Sequence, residues 1–216
     1  MARPREFNEG KVLKEAADLF WAKGYNATST RDLVECTGLT QASIYNVFDD
    51  KRGLYLRALE QYLEQTLHQR IVRLEASSSP GGAIVSFFKD IVDRSLKDPE
   101  HRGCMLVNSA IEATSEDYEF QLFVAGQMAT IEKFFMDRVI EGQRTGEIPA
   151  DQTAKDVARM LLAVAMGLRV LARVRPDPEL LNGLVGPALA TLNLDWRPNK
   201  NVSRMKTNKS RPKSRR

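Results

Sequence analysis

With 216 residues, 43% of them hydrophobic, the chain is long enough to bury a full core as one small domain plus one larger one. No segment reads as a signal peptide or a membrane span: the longest apolar run, Met160 to Leu168, falls far short of the ~20 residues that cross a bilayer, and Arg169 closes it, so a cytoplasmic protein is expected. The net charge of +4 conceals an uneven layout, because residues 196–216 hold nine Lys or Arg and no acid, which leaves −5 for residues 1–195; recognition of a polyanion by the body must then rest on placement of a few groups rather than on bulk charge.

Taken in chain order, Val12, Ala16, Leu19 and Phe20 recur at helical spacing, and Lys23-Gly24-Tyr25 stops that helix. Between Thr28 and Lys51 the chain spells two short helices around Gly38, whose permissive backbone suits the junction of two steeply crossing helices. Thr28, Ser29 and Thr30 offer hydroxyls to cap the first of these and Thr40 the second. With Ile44, Val47 and Phe48 assigned to the interior, the 3.6-residue period turns Gln41, Ala42, Tyr45 and Asn46 outward. Gln and Asn can bond base edges in a DNA major groove, and Ala permits close approach. Asp49 and Asp50 suit the cap of the next helix, yet Lys51 and Arg52 fall in its first turn, where the helix dipole disfavours cations by roughly 0.3–1 kcal/mol each. An external anion reverses that penalty, so Lys51 is read as a phosphate contact.

These residues carry a family likeness. The run from Val12 to Leu59, with the apolar first helix, the Lys23-Gly24-Tyr25 stop, the Leu39-Thr40 turn and the Ile44-Tyr45-x-x-Phe48-x-x-Lys51 ending, resembles the N-terminal DNA-binding domain of TetR-family transcriptional regulators. The resemblance implies that the second and third helices read DNA and that Tyr45 and Lys51 contact phosphates. Relatives often carry His or Tyr where this chain has Val47, which agrees with an interior assignment for Val47. Thr30, Thr40 and Ser43 complete the expected phosphate anchors.

Past Arg57 the pattern is helical throughout. A connecting helix over 51–75 is expected to end in a Ser77-to-Gly82 loop, followed by helices near 83–97, 104–114, 117–144, 152–174 and 178–193, with Pro187 kinking or interrupting the last. The expected architecture is all-α with about nine helices: a helix-turn-helix domain over residues 1–50, a helical regulatory and dimerisation domain over 51–195, and a disordered basic tail over 196–216 that adds salt-sensitive affinity for DNA. Arg3 and Arg5 could reach the backbone or minor groove in a similar way.

The stretch from Leu161 to Leu168 is apolar on every side, so it and the final helix, with Leu181, Leu184, Val185 and Leu189, are the expected homodimer interface; finishing the monomer core is the alternative. Phe87, Ile91, Met105, Asn108, Phe123 and Met128 recur at helical spacing and are the candidate ligand-lining set, although such stripes are also ordinary core; the inducer pocket itself is implied by the family likeness. Asn108 needs a partner if buried. Cys104, behind His101, Arg102 and Gly103 at a helix start, is a candidate redox site, since dipole and cationic neighbours lower a thiol pKa, and some regulators of this type with a similar Gly-Cys helix start sense electrophiles. Cys36 reads as packing.

Two histidines, no glycine-rich phosphate loop, no metal-ligand spacing and no nucleophile motif argue against an enzyme, and no cofactor or metal is expected. The reading is therefore a one-component repressor released from a palindromic operator by a small-molecule effector. A thiol sensor acting through Cys104 and a constitutive DNA binder without a pocket are the alternatives.

Overall fold

The computed structural model describes residues 7–199, and Arg3, Arg5 and residues 200–216 of the basic tail lie outside them. Among the described residues the chain is helical and contains no strand. The elements are α1 (Glu9–Lys23), α2 (Thr30–Thr37), α3 (Gln41–Phe48), α4 (Lys51–Leu63), α5 (Gln69–Ser77), α6 (Pro80–Lys97), α7 (Met105–Glu112), α8 (Tyr118–Thr145), α9 (Ala154–Val174) and α10 (Pro178–Ala190). A π-helical turn, Glu64–His68, joins α4 to α5 without leaving helical dihedrals, so nine helical rods result among the described residues.

The chain forms two compact units. Of the described residues, one takes in those up to Ala76 together with Cys104–Ala129, and the other Ser77–Gly103 together with those from Thr130 onward. In the first, α1 packs on α2 and α4, and α3 on α4. Val12, Leu13, Ala16, Ala17 and Phe20 of α1 are buried, as are Leu33, Ile44, Phe48, Leu54, Tyr55 and Leu59. The Tyr55 ring meets Phe20 edge-on at 4.8 Å and lies 4.9 Å from Tyr25. In the second unit, Phe87, Phe88, Phe134 and Phe135 build an aromatic core, with Phe87 at 5.3 Å from Phe134 and 5.0 Å from Phe135, and Phe88 stacked on Phe135 at 5.6 Å. There α6, α9 and α10 pack on one another.

Several expectations need correction. Val47 is half-buried rather than core, because Ile44 and Phe48 suffice to seat α3. The loop expected over Ser77 to Gly82 is shorter: Ser79 caps α6 by accepting the Gly82 N–H at 3.2 Å, and Pro80 takes the first helical position, where its missing N–H costs nothing. The connecting helix continues past Glu75 to Ser77. In α10, Pro187 interrupts nothing, and the helix runs through it to Ala190. Pro187 and Gly183, whose carbonyl loses its helical partner, are both exposed, so water can serve that carbonyl.

Candidate nucleic-acid interface

The reading segment is fixed by hydrogen bonds that its own sequence supplies. Ser29 caps α2 through a reciprocal box: its hydroxyl accepts the Asp32 N–H at 3.1 Å, while Asp32 accepts the Ser29 N–H at 2.9 Å. Lys23 reaches the same carboxylate at 2.7 Å, tying the end of α1 to the start of α2. The Lys23 ammonium and the Ser29 donors hold the Asp32 carboxyl far below the usual carboxylate range. Gly38 closes α2 in the left-handed region, φ 67° and ψ 7°, and its N–H donates to the Val34 carbonyl. Thr40 caps α3 by accepting the Ser43 N–H at 3.2 Å, and the two hydroxyls lie 2.8 Å apart. Asp49 ends α3 at φ 66°, and Asp50, not Asp49, caps α4 by accepting the Gly53 N–H at 2.7 Å.

This frame leaves Gln41, Ala42, Tyr45 and Asn46 exposed along one face of α3, with Ile44 and Phe48 buried opposite. Tyr45 is 38% exposed, and its phenol lies 3.4 Å from the Thr30 hydroxyl and accepts from Gln41 Nε2 at 3.3 Å. Thr30, Tyr45 and Gln41 thus form one hydroxyl–amide chain across α2 and α3. Ser43 is half-buried and faces Thr40. Lys51 is half-buried, with its ammonium 4.3 Å from the centre of the Tyr25 ring, and burial pushes its pKa down. All eight expected DNA-facing residues lie in the first unit.

What the sequence did not suggest is the carboxylate support behind this face. Glu112, at the end of α7, accepts the Tyr25 N–H at 2.7 Å and the Asn26 N–H at 3.3 Å. Arg52 donates to Asp117 at 2.5 Å and to Glu119 at 3.3 Å. Tyr25, Asn26, Arg52, Glu112 and Asp117, with Tyr55, Thr114 and Phe120, line a cavity of about 100 Å³. Nothing local to Glu112 reveals a partner 87 positions away, so this support is not legible in the sequence.

The candidate ligand residues do not gather in one unit. Phe87 and Ile91 are buried in the second, whereas Met105, Asn108, Phe123 and Met128 belong to the first, and none of the six lines the cavity beside Tyr25. Phe123 and Met128 are half-buried, Met105 is buried, and Asn108 is 7% exposed. Cys104 stands half-buried at the N-cap of α7 and makes no capping bond; its expected cationic neighbour Arg102 is engaged by Asp98 and Glu100, so a thiol switch is not favoured. Cys36 donates to the Leu33 carbonyl at 3.5 Å, and burial pushes its thiol pKa up, consistent with packing. Among the described residues no three His, Cys, Asp or Glu side chains gather as a metal site, and no helix is long and apolar enough to cross a membrane.

Comparison with known proteins places this geometry in a family. Residues 12–58 match the family described as bacterial regulatory proteins, tetR family, and residues 82–185 match the tetracyclin repressor-like C-terminal domain. The chain is 32% identical over 195 residues to the uncharacterized HTH-type transcriptional regulator YezE of Bacillus subtilis, covering 89% of this chain and 100% of that one. It is 27% identical over 188 residues to the HTH-type transcriptional repressor ComR of Escherichia coli, covering 87% and 90% of the two chains. Among solved structures, the TetR family transcriptional regulator CifR, a cysteine mutant in complex with a 26bp double-strand operator DNA, superposes with a TM-score of 0.79 at 29% identity, covering 88% of this chain and all of that one. The chain belongs to the TetR family of bacterial transcriptional regulators, DNA-binding proteins of the helix-turn-helix type.

Proposed function

We propose that the protein is a homodimeric, one-component repressor of the cytoplasm that works without catalysis and leaves a palindromic operator when a small molecule binds its C-terminal domain. The observation that carries this reading is the uncharged, exposed face of α3 set in a capped helix-turn-helix frame. In it, Gln41, Ala42 and Asn46 meet base edges in the major groove, while Thr30, Thr40, Ser43, Tyr45 and Lys51 anchor phosphates. A two-fold operator demands two such heads. The exposed apolar residues Val170 (42%), Val174 (75%) and Leu184 (36%) of α9 and α10 supply surface that a second copy would cover. Likeness to a repressor and to a regulator bound to operator DNA supports the direction of control. An effector acts only by binding the two states of the dimer unequally.

The test is selection of bound sequences from random double-stranded DNA, followed by titration of the selected site with a metabolite panel. A two-fold symmetric consensus and release by one class of small molecule are expected. A chain that selects no sequence refutes the DNA reading, and a selected site that no compound releases points to a constitutive binder.

A further inference from the structure

The α1–α2 turn is held from a distance. Gly24 ends α1 at φ 85° and ψ 164°, and a methyl group placed on it would lie 2.5 Å from Glu112 Oε1, so the carboxylate occupies the space that only glycine leaves. From there Glu112 takes the two following amide hydrogens, those of Tyr25 and Asn26. The ring of Tyr25, thus fixed, lies beneath the Lys51 ammonium at 4.3 Å. Burial works against the charge on Lys51, and the negative charge of Glu112 works in its favour. Next to Lys51, Arg52 is bound by Asp117 and Glu119 at the start of α8, which fixes the first turn of α4 from the same side. All of these residues lie in one compact unit.

We infer that Glu112 is a positioning residue for DNA binding: by pinning the Gly24–Asn26 turn it sets the Tyr25 ring, and through it the Lys51 ammonium, at the place where the operator backbone is met. The inference rests on the proposed DNA reading and on Lys51 as a phosphate contact. Glu112 itself touches no DNA. Its negative charge would repel a phosphate at close range, so its contribution comes through the cation it holds. Without it, Lys51 remains a mobile surface lysine whose approach to a phosphate costs side-chain and loop ordering.

A charged contact that is lost or left unpositioned weakens binding by about tenfold and lowers the slope of log affinity against log salt by about 0.9, the value of one phosphate. The experiment titrates the selected operator at several salt concentrations with the full-length protein, Glu112→Ala, Glu112→Gln, Lys51→Gln and the two Lys51–Glu112 double variants. Circular dichroism and gel filtration establish that each is folded and of unchanged oligomeric state. The expected result is loss of affinity and slope in Glu112→Ala, a smaller loss in Glu112→Gln, which keeps an acceptor for the amides, and no further loss when either change is added to Lys51→Gln. If Glu112→Ala does not fold, the Glu112→Gln cycle decides alone. Additive losses, or wild-type slopes in folded Glu112 variants, overturn the positioning role. Failure of the wild-type chain to select any DNA refutes the underlying reading, while operator binding unchanged by Lys51→Gln leaves that reading intact and overturns this one.

Discussion

Gly24→Ala tests two structural statements at once. At φ 85° and ψ 164° the backbone sits in a region that is essentially glycine-only, and holding an alanine there costs about 1–3 kcal/mol. The new methyl also meets Glu112 Oε1 at 2.5 Å and Cδ at 3.3 Å. The carboxylate is the end of a flexible side chain and can swing away, but only by giving up the Tyr25 and Asn26 amides, a loss near the low end of the ~1.5–3 kcal/mol for hydrogen bonds to charged groups because the site is partly exposed. Together the two effects amount to about 3–4 kcal/mol, which for a unit of roughly 100 residues lowers Tm on the order of 15 °C. Thermal melts followed by circular dichroism measure it, and the same change made in a Glu112→Ala background separates the parts: with no carboxylate to collide with, only the backbone strain remains, so the two changes should fall short of additivity by about 1.5 kcal/mol. A fall in Tm below about 4 °C would show that the turn relaxes freely. Strict additivity would show that Glu112 and Gly24 are not coupled.

Three further outcomes are expected. Tyr45→Ala should weaken operator binding by about 1.5–3 kcal/mol, the range for a hydrogen bond to a charged group, while leaving the melting temperature near wild type because the residue is exposed; unchanged affinity in a gel-shift titration would remove Tyr45 from the interface. Burial, partly offset by the Ser109 hydroxyl at 2.7 Å, pushes the Tyr55 phenol pKa up from its ordinary 10.0 to about 12. The folded state therefore holds this proton more tightly than the unfolded chain. The stabilisation is complete below pH 10 and is lost as pH rises through the folded value, about 2–3 kcal/mol in all. Tyr55→Phe should be less stable at neutral pH by about 1 kcal/mol and should lose less on going to alkaline pH; equal alkaline losses in the two proteins would contradict the buried, neutral phenol. Removing the basic run beyond Asn199 should flatten the salt dependence of DNA binding without changing the preferred sequence, and an unaltered slope would make that run irrelevant to binding.

The features legible in the sequence are those whose partners lie within a few residues. Ser29 with Asp32, Thr40 with Ser43 and Gly38 with Val34 close their hydrogen bonds inside one helical turn, so residue type and spacing suffice to place α2, the glycine turn and α3. The outward face of α3 follows once Ile44 and Phe48 are inside. The TetR likeness was readable for the same reason, since its motif is a run of such local devices. Where two local rules competed, the sequence misled: serines and glycines after Ala76 suggested a longer loop than the Pro80-led helix allows, and Pro187 suggested a break that an exposed carbonyl does not require.

Tertiary structure decided everything that depends on a distant partner. Glu112 is a plain acid at a helix end until α7 packs on α1 and brings it to the Gly24–Asn26 turn; Tyr55 is an ordinary helical tyrosine until Ser109 meets its hydroxyl. Lys51 kept the position that its spacing gave it, but only the folded chain brings its ammonium to 4.3 Å from the centre of the Tyr25 ring. The aromatic and methionine stripe could not be sorted by periodicity, because the same 3.6-residue spacing serves core and cavity alike, and packing sends Phe87 to one unit and Met105 to the other. Local bonding is written in the residues that make it, whereas the pairing of remote side chains is set by how whole helices exclude water together, a property of the folded chain.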